Sequence, residues 1–181
     1  MKTALTLSGS IRRGSFNRVL QLHVGRQLKE AGVAVTELDL ADFPMPIFNE
    51  DLEPDNVPEA AGRLAELFRS HDIVFLASPE YNGGVPPLVV NTITWLSRQK
   101  PSPFRHAVFG IGGVSSGKYG TIWSLSHLRD SLSKIGTLVV PTLLGIGPAD
   151  EAFDENGDPV EPAIIRKVGQ MVDELTQFSR G

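Results

Sequence analysis

Strand-length apolar runs alternate with helical segments along the whole of this chain, and that alternation constrains its fold more than any other feature. The runs fall at residues 4–7, 33–40, 72–78, 105–112 and 137–146. The third, DIVFLAS, is apolar almost throughout, which suits a central strand buried on both faces of a parallel sheet. The fifth is interrupted at Pro141. Between the runs, Val19, Leu20, Val24 and Leu28 recur at helical spacing up to a stop at Ala31-Gly32. Ala61, Leu64, Ala65 and Phe68 share one face of a second helix over 58–70. A third, opened by Pro86 and Pro87, covers 85–98; a fourth covers 121–135 and ends at Gly136; a fifth covers 162–178. Residues 42–58, rich in Pro, Asp and Asn, read as a loop of a length that is often functional.

A strict βα alternation predicts an α/β fold with one parallel sheet, helices on both faces and right-handed crossovers. Five strands favour a flavodoxin-like three-layer sandwich with strand order 2-1-3-4-5. Strands 1, 3 and 4 are then neighbours, so the loops that follow them converge at the carboxyl edge of the sheet, where ligands bind. The chain has 181 residues, no repeats and no linker, and reads as a single domain over 1–181.

Those three loops have the compositions of a binding site. The first, within TLSGSIRRGSFNRVL, offers Ser8, Gly9 and Ser10, the cations Arg12 and Arg13, and Ser15 ahead of a helix whose first turn holds Phe16 and Asn17. Backbone donors and a helix N-terminus, completed by hydroxyls and an arginine, suit a phosphate. The sequence is neither a Walker loop nor G-x-G-x-x-G, and it better fits a terminal monophosphate. The second loop, Pro79-Glu80-Tyr81-Asn82-Gly83-Gly84, supplies an aromatic face, an amide and close backbone approach for a flat heterocycle. The third, 112–120, brings glycines and the hydroxyls of Ser115 and Ser116 to the ring's other edge. Each loop alone also reads as an ordinary turn. Together they describe a ligand with a phosphate at one end and a planar ring at the other, a shape that FMN has.

The remaining features narrow the function. The chain has no cysteine, which excludes disulfides, thiolate metal sites, CxxC redox pairs and catalytic thiols, so redox chemistry requires a bound cofactor. A net charge of -4 argues against a general nucleic-acid binder. No segment has the pattern of a signal or the length of a membrane span, and a cytoplasmic protein is expected. His23, His71, His106 and His127 show no metal-ligand spacing. The acidic turn at 150–158 is no EF-hand, because Ala152 and Ala163 occupy the first and last ligand positions.

The chain resembles the NADPH-dependent FMN reductase family, which includes chromate, quinone and azo-dye reductases. The matching residues are Gly9-Ser10-x-Arg12-x-x-Ser15-x-Asn17 and Pro79-Glu80-Tyr81-Asn82, continuing through Pro86, Leu88, Asn91, Ile93 and Trp95 to Ser97-Arg98. Asp39-Leu40, Pro44-x-Pro46 and the glycine-rich third loop add to the likeness. The resemblance implies that Ser10, Arg12, Ser15 and Asn17 hold the FMN phosphate, with Phe16 beside them. It implies that Pro79, Glu80, Tyr81, Asn82 and Gly83 line the isoalloxazine, and that Ser115, Ser116 and Gly117 close its other side. The expected activity is hydride transfer from NADPH or NADH to FMN, then reduction of a quinone, azo dye, metal oxyanion or free flavin. No catalytic acid or base is expected, because the flavin carries the chemistry. Arg12 and Arg13 are also candidates for attracting the dinucleotide. Val90-Asn91 and Thr94-Trp95 depart from the charged residues that the family often has on the third helix. A homodimer or homotetramer is expected, since one small domain covers an edge-bound flavin only partly. The alternative is a flavodoxin-type FMN electron carrier without nicotinamide turnover, although such carriers are typically more acidic and lack the loop arginine.

Overall fold

The apolar run at 72–78 becomes β3 (Ile73–Ala77), every residue of which is buried. A strand so placed needs a helix layer on each face, and the rest of the chain supplies both. The structure, a computed structural model, describes residues 1–52 and 57–179. β1 (Thr3–Ser8) and β4 (Val108–Val114) flank β3, while β2 (Ala34–Leu38) and β5 (Leu138–Ile146) form the edges. All neighbours run parallel, in the expected order 2-1-3-4-5. The helices are α1 (Phe16–Glu30), α2 (Glu59–Arg69), α3 (Pro87–Ser97), α4 (Ile122–Lys134) and α5 (Pro162–Gln177). On one face, α1 and α5 bury Leu20, Val24, Leu28, Val168 and Met171 against Phe75 and Val140. On the other, α2, α3 and α4 bury Leu64, Leu96 and Leu128 around a cluster of Phe68, Phe104 and Phe109.

Two strands differ from the sequence reading. β4 begins at Val108 and runs through Gly112, Gly113 and Val114, residues whose glycines read as the start of a loop. Gly113 is there for space: a Cβ on it would lie 2.0 Å from the Ser78 carbonyl oxygen and 2.5 Å from the Thr121 hydroxyl. β5 passes through Pro141 without a break, and the register against β4 shifts between Phe109 and Ile111. Such a bulge on an edge strand is where a residue lacking an N–H is tolerated.

The bulge is held from both layers. Arg129 on α4 donates to the carbonyls of Val140 and Pro141, at 2.5 and 2.9 Å. On the opposite face, the Glu174 carboxylate accepts from the Thr142 N–H at 2.9 Å and its hydroxyl at 2.7 Å. Burial opposes ionisation of Glu174, but hydrogen bonds from Thr142 and Gln170, helped by the Arg129 charge, hold its pKa below the usual carboxylate range. Asp72, bonded by the Thr3 N–H and hydroxyl, is lowered as well. A folded-state pKa below the unfolded one means that the native state binds fewer protons. The stabilisation is complete above the unfolded carboxyl value of about 4 and is lost as pH falls through the folded value. The melting temperature is therefore expected to hold from neutral pH to about 5 and to drop below about 4. Glu174→Gln should lower it at pH 7 and flatten the acid limb; an acid limb identical to wild type would remove Glu174 from this account.

The stretch read as the loop 42–58 is entered through a short 3-10 turn at Leu40–Asp42 and holds another at Glu50–Leu52, and its residues 53–56 lie outside the described residues. Its middle is fastened to α3. Asn91 accepts from the Phe48 N–H at 2.8 Å and donates to the Pro46 carbonyl at 2.9 Å, which Trp95 Nε1 also reaches at 2.8 Å. Trp95 is thus a core residue, whereas Trp123 is 64% exposed. No helix among the described residues is long and apolar enough to cross a membrane.

Candidate functional site

The loops after β1, β3 and β4 meet at the carboxyl edge of the sheet, as the strand order requires. In loop one the Ser8 hydroxyl closes the turn, accepting from the Ser10 N–H at 3.2 Å and donating to the Ser10 carbonyl at 3.3 Å. Gly9 donates to the Ala77 carbonyl at 2.8 Å. A Cβ on Gly9 would lie 2.3 Å from Val89 Cγ2, so only glycine lets α3 pack this closely behind the loop. Arg12 is exposed and reaches the Gly14 carbonyl at 3.4 Å, where a φ of 66° reverses the chain.

Ser15 stands at the N-cap of α1, but its hydroxyl makes no capping bond. Serine at this position usually takes a first-turn N–H for itself. Here the Ser15 hydroxyl, on the cleft wall, and the N–H groups of Phe16 and Asn17 precede the first helical bonds, which Arg18 and Val19 make to the Ser15 carbonyl. The first turn of α1 carries no acidic residue. These donors, with the Ser10 hydroxyl and the Arg12 guanidinium, match a phosphate monoester in charge and in hydrogen-bonding sense.

The Asn17 side chain is also bonded within the protein. Its amide donates to the Val114 carbonyl and accepts from the Val114 N–H, both at 3.0 Å, and the residue is buried. The side chain is a clamp that ties the start of α1 to the end of β4, and so loop one to loop three.

Loop two is a tight reversal. Tyr81 and Gly84 exchange backbone bonds, and Asn82 and Gly83 between them both have positive φ, 54° and 74°. That combination is the signature of a type I′ turn and explains the Asn-Gly pair. Tyr81 is left 51% exposed at the mouth. The Glu80 carboxylate accepts from the Ser124 N–H at 2.9 Å, and the Ser124 hydroxyl donates to the Pro79 carbonyl at 3.1 Å. Loop two and the N-terminus of α4 are therefore one unit. In loop three the Ser115 hydroxyl donates to the Gly120 carbonyl at 2.8 Å, which leaves Ser116 and Gly117 exposed.

Together the loops enclose an open cleft of about 350 Å³. The candidates from loop one line it (Ser10, Arg12, Ser15, Phe16 and Asn17), as do Pro79, Glu80 and Tyr81 from loop two and Ser115 and Ser116 from loop three. Asn82, Gly83 and Gly117 are not among its walls. Val114 and Ala149 are, and neither is singled out by its residue type. Val114 was masked by the glycines before it, and Ala149 opens a 3-10 turn after β5 that reads only as the start of an acidic segment.

The profile of the NADPH-dependent FMN reductase family matches residues 2–151, which include all three loops. The chain belongs to this family. An NAD(P)H-dependent FMN reductase of Pseudomonas aeruginosa is 32% identical over 179 residues, spanning 97% of this chain and 94% of the relative. A quinone reductase of Escherichia coli is 29% identical over 181 residues, spanning 96% and 92%. Among solved structures, the NAD(P)H:(acceptor) oxidoreductase FerB of Paracoccus denitrificans superposes with a TM-score of 0.83 at 26% identity, covering 99% of this chain and all of FerB. As an NADPH-dependent FMN reductase family member, the protein is a flavin-dependent oxidoreductase that uses reduced nicotinamide, and the phosphate-type donors and the aromatic mouth of the cleft fit FMN.

Proposed function

We propose that this FMN reductase family member holds FMN across the three loops and passes electrons from NAD(P)H to a small planar acceptor of the quinone type. The observation that carries this reading is the uncapped Ser15. Its hydroxyl caps nothing in α1, and Ser15 lines the same cleft as Tyr81. In this reading Ser10, Arg12 and Ser15 bind the phosphate, and Asn17 fixes the distance between the two ends through Val114. Tyr81 and the Pro79-Glu80 backbone border the ring, with Ser115 and Ser116 opposite. FMN, when bound, supplies the acceptor for hydride and the donor to the second substrate. The chain's residues bind and orient it and leave one face open to both partners in turn.

Solvent is kept from that face by a second copy of the chain. Tyr119, Ile122 and Trp123 stand exposed around the N-terminus of α4, next to the Glu80–Ser124 contact and the half-exposed Tyr81. An apolar rim around a half-open cleft fits a homodimer, or a tetramer built from it. The cytoplasm, where reduced nicotinamides are regenerated, is the expected compartment, and a periplasmic or extracellular pool of the protein on cell fractionation would contradict that.

Titrating flavin-stripped protein with FMN and with riboflavin tests the cleft. One FMN per chain, bound at least about 100-fold more tightly than riboflavin, is expected from charge-assisted phosphate contacts. Equal affinities would show that no phosphate site exists. Light scattering on the loaded protein should give a dimer mass or larger; a monomer with flavin bound would remove the second copy from the account.

A further inference from the structure

Glu80 is a carboxylate on the wall of the cleft, and its placement is unusual for a helix cap. The residue at the N-cap of α4 is Thr121, which makes no side-chain capping bond, and its buried hydroxyl has no partner among the described residues. The first turn of α4 has no acidic residue either. The cap comes instead from a different loop, 44 positions away, through Glu80 Oε2 and the Ser124 N–H. No lysine, arginine or histidine side chain among the described residues pairs with Glu80. The partial positive charge at the N-terminus of α4 faces it through the Ser124 N–H. The cleft is therefore polar in two senses: a guanidinium at the phosphate end, and a carboxylate in the loop that borders the ring.

That carboxylate has an electrostatic consequence for a ring held beside it. NAD(P)H gives up a hydride, which is two electrons and one proton, and becomes NAD(P)+; the ring that receives the hydride gains one negative charge. We propose that Glu80 is a positioning residue that locks the Tyr81 turn to α4 and, through its fixed negative charge, lowers the reduction potential of the bound flavin. The charge opposes accumulation of the reduced ring and favours electron release to the acceptor. A unit charge about 10 Å away, in a medium of effective dielectric about 20, is worth about tenfold in such an equilibrium. The inference rests on FMN occupying this cleft as described above.

The test is the reduction potential of the bound flavin in wild type, Glu80→Gln and Glu80→Asp holoenzymes, by equilibration with reference dyes. Gln keeps an oxygen for the Ser124 N–H and removes the charge. Its relative affinity for reduced over oxidised FMN should rise about tenfold, which is about 30 mV upward for a two-electron couple. Asp keeps the charge and should stay within about threefold of wild type. If Glu80→Gln does not fold, Glu80→Asn against Glu80→Asp repeats the comparison at matched length, with Asn the higher. An unchanged potential in the amide variant, or equal shifts in amide and acid, would overturn the role of Glu80. Wild-type protein that takes up no flavin would instead overturn the functional reading on which it rests.

Discussion

Asn17→Leu is expected to lower the melting temperature by about 5–10 °C and to strip the protein of FMN. The substitution is close in volume, so packing of the site changes little. What it removes is the pair of hydrogen bonds to Val114, leaving a buried N–H and a buried carbonyl unpaired. Each such group costs about 1–3 kcal/mol, and in a domain of this size each kcal/mol is worth about 2–4 °C. Asn17→Asp separates the two bonds: it keeps an acceptor for the Val114 N–H and sets a carboxylate against the Val114 carbonyl. It should be at least as destabilising near neutral pH as the leucine. Thermal melts with flavin retention on gel filtration check both. A shift under about 2 °C for Asn17→Leu would mean that the clamp contributes little.

Arg12→Ala carries the second large effect, and it falls on affinity rather than stability. The side chain is exposed and makes one long bond within its own loop, so the fold should lose almost nothing. A charge-assisted bond to phosphate is worth about 1.5–3 kcal/mol, so the Kd for FMN should rise about 10–100-fold. Riboflavin, which has no phosphate, should bind the variant and the wild type alike. Arg12→Lys should recover only part of the loss, because an ammonium cannot offer the guanidinium's paired donors. An FMN affinity within about twofold of wild type in Arg12→Ala would place the phosphate elsewhere.

The fold was legible because its determinants are local and repeated: five apolar runs and five helical faces in strict alternation leave few topologies. The cleft was legible for the same reason, since strand order brings loops of telling composition to one edge. What escaped the sequence acts over distance. Asn17 pairs with Val114 across 97 positions and Glu80 with Ser124 across 44, and neither side chain announces its partner. Gly113 reads as a turn residue, yet its lack of a side chain serves the approach of the Ser78 carbonyl inside a strand. Pro141 reads as a break, but Arg129 and Glu174 hold the bulge that accommodates it. Ser15 was legible as a helix cap by position; only the geometry shows that its hydroxyl is left for a ligand.

The most direct test of the account is the visible spectrum of the purified protein, loaded with FMN and then given NADPH under anaerobic conditions. Flavin bands that bleach within seconds, and return when a quinone is added, are the predicted result. Flavin bands that persist in the presence of both NADPH and NADH would contradict it and leave an FMN electron carrier in its place.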